Sequence, residues 1–205
     1  MIGNIEWLFF DIGSTLIDEH LVYEKRMLNI AKSANTTYEY VYNTAIMFYK
    51  QNKKGDLETI KLLNVEKPKW SFEDELLFED TEVCLKKLSA KYKIGIIANQ
   101  PLGAEKRLEK FGILKYIDLV IVSAEEGIAK PDQRIFEIAL ERSGCKSVNA
   151  IMIGDRIDND IVPAKMLGMR TIWIKQGFGQ YWHFTSENEK ADYVVGSLIE
   201  LCSLL

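Results

Sequence analysis

The sequence predicts an α/β fold in which helices cover both faces of a parallel β-sheet. Short apolar runs of strand length recur along the chain, and helix-like segments separate most of them. Continuous apolar runs of this kind are typical of strands that are buried on both faces of a sheet. One long stretch near the start breaks the alternation, so we also expect an inserted helical segment.

Six apolar runs are expected to form the strands of this sheet, and the last of them is the weakest. In chain order these runs are Ile5–Phe10, Ile94–Ala98, Leu119–Val122, Ala150–Ile153, Thr171–Ile174 and Tyr193–Val195. The segments between them that are predicted to be helical are 80–90, 103–111, 132–143 and 159–167.

The stretch that breaks the alternation lies between the first and second runs and contains no convincing strand. Apolar residues recur there at helical spacing, and two polar segments separate the helices. The residues at helical spacing are Leu21, Met27, Leu28 and Ala31, and then Tyr38, Val41, Tyr42, Ala45 and Tyr49. The expected organisation is therefore a core of residues 1–16 and 76–205 with a helical cap of residues 17–75.

Composition excludes several classes of protein. The 205 residues carry a net charge of −4 without a basic cluster, which argues against nucleic acid as a partner. No apolar stretch approaches the roughly 20 residues that span a bilayer, so no membrane partner is expected. Three scattered cysteines and the lack of a signal-peptide pattern favour a cytoplasmic location. The sequence leaves the oligomeric state open.

Polar residues follow the predicted strands at the edge where an open parallel sheet binds its ligands. Asp11 follows the first run, Asn99 follows the second, and Asp155 follows the fourth. Lys130, directly before a proline, precedes a predicted helix. Carboxylates at two strand ends favour a hard cation such as Mg²⁺, and the lysine could neutralise both a carboxylate and a phosphate.

These four positions, in this order, resemble the four motifs of the haloacid dehalogenase superfamily, and the match covers nearly the whole chain. The resemblance implies a Rossmann-like core and a helical cap of that family's first type. It also implies that the chain binds Mg²⁺ and hydrolyses a small phosphorylated substrate.

The resemblance implies a role for each matching residue. Asp11 would be the nucleophile that forms an aspartyl-phosphate and would also bind the metal. The backbone carbonyl of Gly13 and the carboxylate of Asp155 would be the other metal ligands. Lys130 would hold Asp11 and the phosphoryl group in place.

Three further residues would support this site. Asn99 lies beside the second motif and would contact the substrate. Thr15 would brace the loop that follows the first strand and would contribute to the substrate-binding side of the site. Asp160 would orient metal-bound water or the lysine of the third motif.

The chain departs from the family pattern at two positions. The first motif normally carries a second Asp, which protonates the leaving group and later activates water, but here that residue is Gly13. The second motif normally carries a Ser or Thr, but here that residue is Ala98. If the missing acid limits the rate, Gly13→Asp should raise phosphatase activity.

The sequence leaves open what replaces the missing acid. Either water or a substrate whose leaving group needs no proton would suffice. The side chains that could replace it are Ser14, Asp18, Glu19, His20 and Tyr23.

Three functions remain open, and the leading one is the Mg²⁺-dependent phosphohydrolase. The second is a catalytically degenerate protein that binds a phosphorylated ligand or a protein, because two catalytic side chains are missing. The third is a 2-haloacid dehalogenase, whose halide needs no general acid, although the retained acidic fourth motif argues against it. A chelator should abolish phosphatase activity and leave dehalogenase activity intact.

Three features near the site are expected to be structural. Asp132 should cap the helix that follows it, and Asp158 should face solvent. The segment Gly177–Trp182 should be a loop anchored by aromatic packing.

Overall fold

A computed structural model describes residues 4–205, so residues 1–3 of the expected core lie outside the described part. It confirms the α/β fold, with a six-stranded sheet of order β5-β4-β1-β6-β7-β8 in which every pair is parallel. The strands are β1 (Trp7–Phe10), β2 (Ile17–Asp18), β3 (Leu76–Leu77), β4 (Lys93–Ala98), β5 (Leu119–Val122), β6 (Ala150–Gly154), β7 (Arg170–Ile174) and β8 (Tyr193–Val195).

Helices connect the strands of the large sheet, and side chains cap several of them. The oxygen of Asp132 accepts a hydrogen bond from Arg134 N at 2.9 Å, which confirms the predicted cap. The helices are α1 (His20–Ser33), α2 (Tyr38–Tyr49), α3 (Gly55–Leu63), α4 (Thr81–Ser89), α5 (Ala104–Lys110), α6 (Ser123–Glu126), α7 (Gln133–Ser143), α8 (Val162–Met166) and α9 (Leu198–Leu204).

The central strand β1 shows why the apolar runs are continuous. Successive strand residues point to opposite faces, and both faces of this sheet are covered. Leu8 and Phe10 pack into one hydrophobic cluster, whereas Phe9 packs into the cluster on the other face. All three side chains are fully buried.

The helices α1 to α3 lie between two very short strands. Ile17–Asp18 pairs antiparallel with Leu76–Leu77, so the expectation that residues 17–75 hold no strand is wrong. A strand of two residues is too short to produce a recognisable alternation of polar and apolar residues. The division of the chain into core and cap at 16/17 and 75/76 stays a prediction. The two strands of this short ribbon lie next to these two boundaries.

The inserted helices pack against the sheet domain through a third hydrophobic cluster. Met27 and Ala45 of the insertion share this cluster with Ile161 and Trp173. The side chain of Phe178, after β7, stacks on the ring of Tyr49 with a centroid distance of 4.7 Å. The segment Gly177–Tyr181 forms a 3-10 helix whose aromatic side chains pack against the insertion, which confirms the predicted packing role.

Several other elements differ from the prediction. The helix expected at 159–167 begins earlier, as a π-helical turn over Ile157–Ile161 that leads into α8. The helix α9 was not predicted. In the described part of the chain, no helix has both the length and the apolar character that a membrane span requires. The three cysteines are free and buried, as expected of residues that pack in the core.

Candidate active site

The strand order explains why distant residues meet. The chain leaves β1 for β4 on one side and later returns to β6 on the other, so the ends of these three strands form a topological switch point. Asp11, Asn99 and Asp155 follow these strands directly, and all three line one cavity of about 270 Å³. The structure therefore brings together three residues that the sequence analysis placed at one end of the sheet.

The ammonium group of Lys130 lies at the centre of the cluster. It donates hydrogen bonds to Asp11 Oδ1 at 2.7 Å, to Asp160 Oδ1 at 2.6 Å and to the carbonyl of Ile97 at 2.7 Å. Lys130 is only 4% exposed. Burial lowers its pKa, but the charges of Asp11 and Asp160 outweigh burial and raise the pKa above its ordinary value. The lysine therefore stays positively charged between two carboxylates.

Asn99 binds the backbone of Lys130. Its amide nitrogen donates to the carbonyl of Lys130 at 2.8 Å, and its amide oxygen accepts from the backbone N–H of Lys130 at 2.8 Å. This pair of bonds occupies both ends of the amide and fixes the start of the lysine side chain. The predicted contact between Asn99 and substrate stays a prediction, and positioning of Lys130 is a role that the geometry adds.

Three carboxylates form a group that could hold a cation. Asp11, Asp155 and Asp160 each offer an oxygen, and these oxygens lie within 4.8 Å of one another. Asp160 uses Oδ1 for Lys130 and Oδ2 for the backbone N–H of Arg156 at 3.0 Å. The carboxylates of Asp11 and Asp155 are therefore the freer ligands of the three.

Asp155 has the environment expected of a metal ligand. Its side chain is nearly buried, and no donor in residues 4–205 forms a hydrogen bond with its carboxylate. Burial raises its pKa well above the ordinary value, and the negative charges of Asp11 and Asp160 raise it further. A carboxylate that is desolvated beside other carboxylates fits a hard divalent cation, because the cation would neutralise the cluster.

The loop after β1 contains an arrangement that the sequence did not reveal. The backbone of Ser14 has a φ of 53°, a region that non-glycine residues seldom adopt. Its hydroxyl donates to Glu19 Oε2 at 2.8 Å. Burial raises the pKa of Glu19 to about 8, the Ser14 hydroxyl opposes this shift, and the nearby charge of Asp11 adds to it.

Two residues of the family motifs lie behind the cavity and do not line it. Thr15 is fully buried, and no described group accepts or donates a hydrogen bond at its hydroxyl. This placement suits the bracing role, and direct contact with substrate stays a prediction. Ala98 is also fully buried, at the last position of β4.

The inserted segment supplies the opposite wall of the cavity. Its residues there are mostly cationic or aromatic. The sequence did not identify most of them as site residues, because they belong to no recognisable motif. Besides Glu19 and Tyr23, which the sequence analysis did name, these residues are Arg26, Lys54, Lys67, Trp70 and Phe72. Arg26 is 5% exposed, lies 3.3 Å from Asp56 Oδ2 and stacks over Trp70. Three cations thus face the carboxylates of the core.

The turn after β6 places Asp158 at the surface and Arg156 at the cavity. Asp158 is partly solvent-exposed, as predicted, and pairs with the guanidinium of Arg156. The guanidinium of Arg156 also lies over the ring of Trp182, at 4.5 Å from its centroid. Arg156 itself lines the cavity.

Comparison with known proteins agrees with this geometry. The family model of haloacid dehalogenase-like hydrolases matches residues 8–174. A glyceraldehyde 3-phosphate phosphatase of Pyrococcus furiosus is 28% identical over 98% of this chain and 93% of its own length. A pyrimidine 5′-nucleotidase of Escherichia coli is 26% identical over 90% of this chain and 95% of its own length. The solved structure of a phosphatase from Thermococcus onnurineus superposes with a TM-score of 0.66 at 24% identity, over 98% and 97% of the two chains. The chain belongs to the haloacid dehalogenase-like hydrolase family.

Proposed function

We propose that this hydrolase is a Mg²⁺-dependent phosphatase of a small phosphorylated metabolite and that it works through an aspartyl-phosphate on Asp11. The observation that carries this proposal is the position of Asp11 between Lys130 and the carboxylate of Asp155. Lys130 binds one oxygen of Asp11, and no described donor binds the other oxygen. A free carboxylate oxygen at the cavity is what in-line attack on phosphorus requires.

The residues that would hold Mg²⁺ are Asp11, Asp155 and the backbone carbonyl of Gly13. Bound there, Mg²⁺ would neutralise negative charge on the phosphoryl group and on the carboxylates around it. Lys130 contributes a second fixed positive charge at Asp11, which lowers the repulsion between this carboxylate and an incoming phosphate. Asp160 and Asn99 hold that lysine in position.

Three further observations support a small phosphorylated substrate. The cavity wall from the insertion carries Arg26, Lys54 and Lys67, whose charges favour an anionic ligand. The cavity volume of about 270 Å³ is near the lower end for small-molecule sites, which favours a small metabolite. The two relatives described above act on a phosphorylated sugar and on nucleotides by their names, so both are phosphomonoesterases of small molecules.

The direct test is hydrolysis of 4-nitrophenyl phosphate with Mg²⁺ by the wild-type protein and by Asp11→Asn. The aryl leaving group departs with little acid assistance, so a protein with an altered first motif is tested fairly. We expect turnover in the wild type and loss of at least about 10³-fold in Asp11→Asn, because the nucleophile is removed. The matched control is Asp132→Asn, since Asn caps a helix about as well as Asp and Asp132 does not line the cavity.

The outcomes separate the hypotheses that the sequence left open. Turnover that disappears with a chelator and with Asp11→Asn supports the phosphatase. Release of halide from a 2-haloacid in the presence of chelator would instead indicate attack on carbon. No turnover of any phosphate ester by the wild type would contradict the proposal and favour a protein that only binds its ligand.

A further inference from the structure

The carboxyl group of Glu19 occupies the space that a side chain at Gly13 would fill. A Cβ atom placed on Gly13 would lie 2.5 Å from Glu19 Oε1 and 3.0 Å from its Cδ. The first distance is shorter than real Cβ contacts and the second is at their tight limit, so a side chain at residue 13 and the Glu19 carboxyl in its present position exclude each other. The first motif thus lacks a carboxyl at residue 13 but has one, from residue 19, at the same place.

The loop after β1 holds this carboxyl in position. Ser14 adopts a left-handed backbone conformation, which non-glycine residues seldom adopt. In this conformation its hydroxyl donates to Glu19 Oε2 at 2.8 Å, and Oε1 has no donor in the described residues. A strained residue whose side chain fixes a neighbouring carboxylate indicates that the position of this carboxylate matters.

Glu19 reaches the site because it lies at the start of α1, directly after the short strand β2. Its carboxyl lines the same cavity as Asp11 and Lys130. The two candidates next to Glu19 in the sequence are placed differently. Asp18 accepts from the backbone of His20 at 2.8 Å, and neither Asp18 nor His20 lines this cavity.

We propose that Glu19 is the general acid and base of the reaction, in place of the carboxyl that Gly13 lacks; this assignment rests on the proposed phosphatase function. In the first step, an oxygen of Asp11 bonds to phosphorus while the bond from phosphorus to the ester oxygen breaks. The proton of the Glu19 carboxyl passes to that oxygen, and the alcohol leaves.

The second step restores the enzyme. The Glu19 carboxylate removes a proton from water as the water oxygen bonds to phosphorus. The bond between phosphorus and Asp11 breaks, so that Asp11 is a carboxylate again, Glu19 is protonated again and inorganic phosphate is free. One ester and one water thus give one alcohol and one phosphate.

The first measurement compares Glu19→Gln with the wild type on 4-nitrophenyl phosphate and on an alkyl phosphate. Glutamine keeps the shape and the bond from Ser14 but cannot transfer a proton. On the alkyl phosphate, whose leaving group needs a proton, we expect kcat to fall about 10²- to 10⁴-fold. On the aryl ester, formation of the aspartyl-phosphate should change several-fold at most, as seen in the initial burst of nitrophenol. Asp18→Asn is the matched control and should leave both substrates unaffected.

The second measurement follows the covalent intermediate. Without the base, water attacks the aspartyl-phosphate slowly, so Glu19→Gln should accumulate phosphorylated Asp11 during turnover of the aryl ester. Acid quenching and intact-protein mass spectrometry detect this species. A purely structural role of Glu19 would slow both steps and would not trap the intermediate.

Two variants at residues 13 and 19 test whether either residue can supply the carboxyl beside Asp11. Gly13→Asp alone brings a second carboxyl against Glu19, so we expect no gain in activity, contrary to the expectation from sequence. Gly13→Asp combined with Glu19→Ala returns a single carboxyl to this volume and should recover alkyl phosphatase activity at least tenfold over Glu19→Ala alone. This rescue keeps the test valid if Glu19→Gln perturbs folding.

The results distinguish a wrong assignment of Glu19 from a wrong function. If the wild type turns over both esters through Asp11, but Glu19→Gln loses the same factor on each and traps no intermediate, the role of Glu19 is overturned and the phosphatase stands. If the wild type turns over neither ester, the phosphatase proposal fails and the assignment fails with it.

Discussion

Asp160 joins Lys130 to the turn that follows β6. Its Oδ1 accepts from Lys130 Nζ at 2.6 Å, while its Oδ2 accepts from the backbone N–H of Arg156 at 3.0 Å. Asp160 is fully buried and Lys130 nearly so, so their charges depend on each other. One carboxylate therefore fixes both the lysine at Asp11 and the loop that carries Asp155.

We expect Asp160→Ala to lower the free energy of unfolding by about 3–5 kcal/mol. Without Asp160, the buried positive charge of Lys130 is only partly balanced by negative charge. Activity should fall as well, since Lys130 loses one of its two carboxylate partners. Denaturant titration and steady-state kinetics measure both effects. The control is Asp158→Ala in the same turn, whose partly exposed pair with Arg156 should contribute about 0–1 kcal/mol. Equal losses in the two variants would contradict this account.

Asp155 leads to a prediction about metal and stability together. In chelator, the wild type holds a desolvated carboxylate near two others, whereas Asp155→Asn removes that charge. We therefore expect Asp155→Asn to melt at the same temperature as the wild type in chelator or above it. With Mg²⁺, the wild type should gain about 2.7 kcal/mol at 100 times its dissociation constant, and the variant should gain almost nothing.

Thermal unfolding with and without Mg²⁺ checks this prediction without any substrate. Asp132→Asn serves as the control because it changes an aspartate outside the cluster and should respond to Mg²⁺ as the wild type does. An Mg²⁺-dependent shift that survives in Asp155→Asn would show that the metal lies elsewhere or does not need this ligand.

The fold was largely predictable because the strands of a buried parallel sheet are apolar on both faces. Leu8, Phe9 and Phe10 are all buried, so the run is visible without knowledge of the neighbours. The strand order also brings the polar residues after β1, β4 and β6 together, which is a general property of open sheets. The meeting of Asp11, Asn99 and Asp155 follows from these two facts.

The role of Glu19 could not be predicted in the same way. It depends on the short ribbon between Ile17–Asp18 and Leu76–Leu77, on the left-handed backbone of Ser14 and on the volume beside Gly13 that the Glu19 carboxyl fills. None of these produces a periodic pattern, and a serine seldom adopts that conformation. The sequence could therefore place several acids near the motif but could not choose among them.

A variant of Asn99 tests whether this residue positions Lys130 or binds substrate. Its amide forms two hydrogen bonds with the backbone of Lys130, so Asn99→Ala should let the lysine shift. We expect kcat to fall about 10- to 100-fold with little change in KM, since small displacements at a reacting centre are costly. The control is Asn149→Ala, because Asn149 directly precedes β6 and therefore lies at the end of the sheet opposite to the site. A rise in KM at constant kcat would favour direct contact between Asn99 and substrate.

A pair of hydrogen bonds links the insertion to the core at its outer side. Asn52 Nδ2 donates to the carbonyl of His183 at 2.7 Å, and His183 N donates to Asn52 Oδ1 at 3.0 Å. Asn52 has a φ of 57°, so Asn52→Gly removes the side chain while keeping a backbone conformation that glycine adopts easily. We expect the free energy of unfolding of this variant to fall by about 1 kcal/mol or less per hydrogen bond, because the two bonds are exposed to solvent.

Asn52→Gly should affect local opening of the insertion more than the global stability of the protein. With the link removed, α2 and α3 should exchange backbone amides faster than in the wild type, while β1, β4 and β6 keep their protection. Since closure of such a segment excludes water from the site, KM should rise more than kcat falls. Asn52→Ala adds backbone strain and should destabilise the protein further than Asn52→Gly. Unchanged exchange in α2 and α3 would show that the aromatic packing around Phe178 holds the insertion without this link.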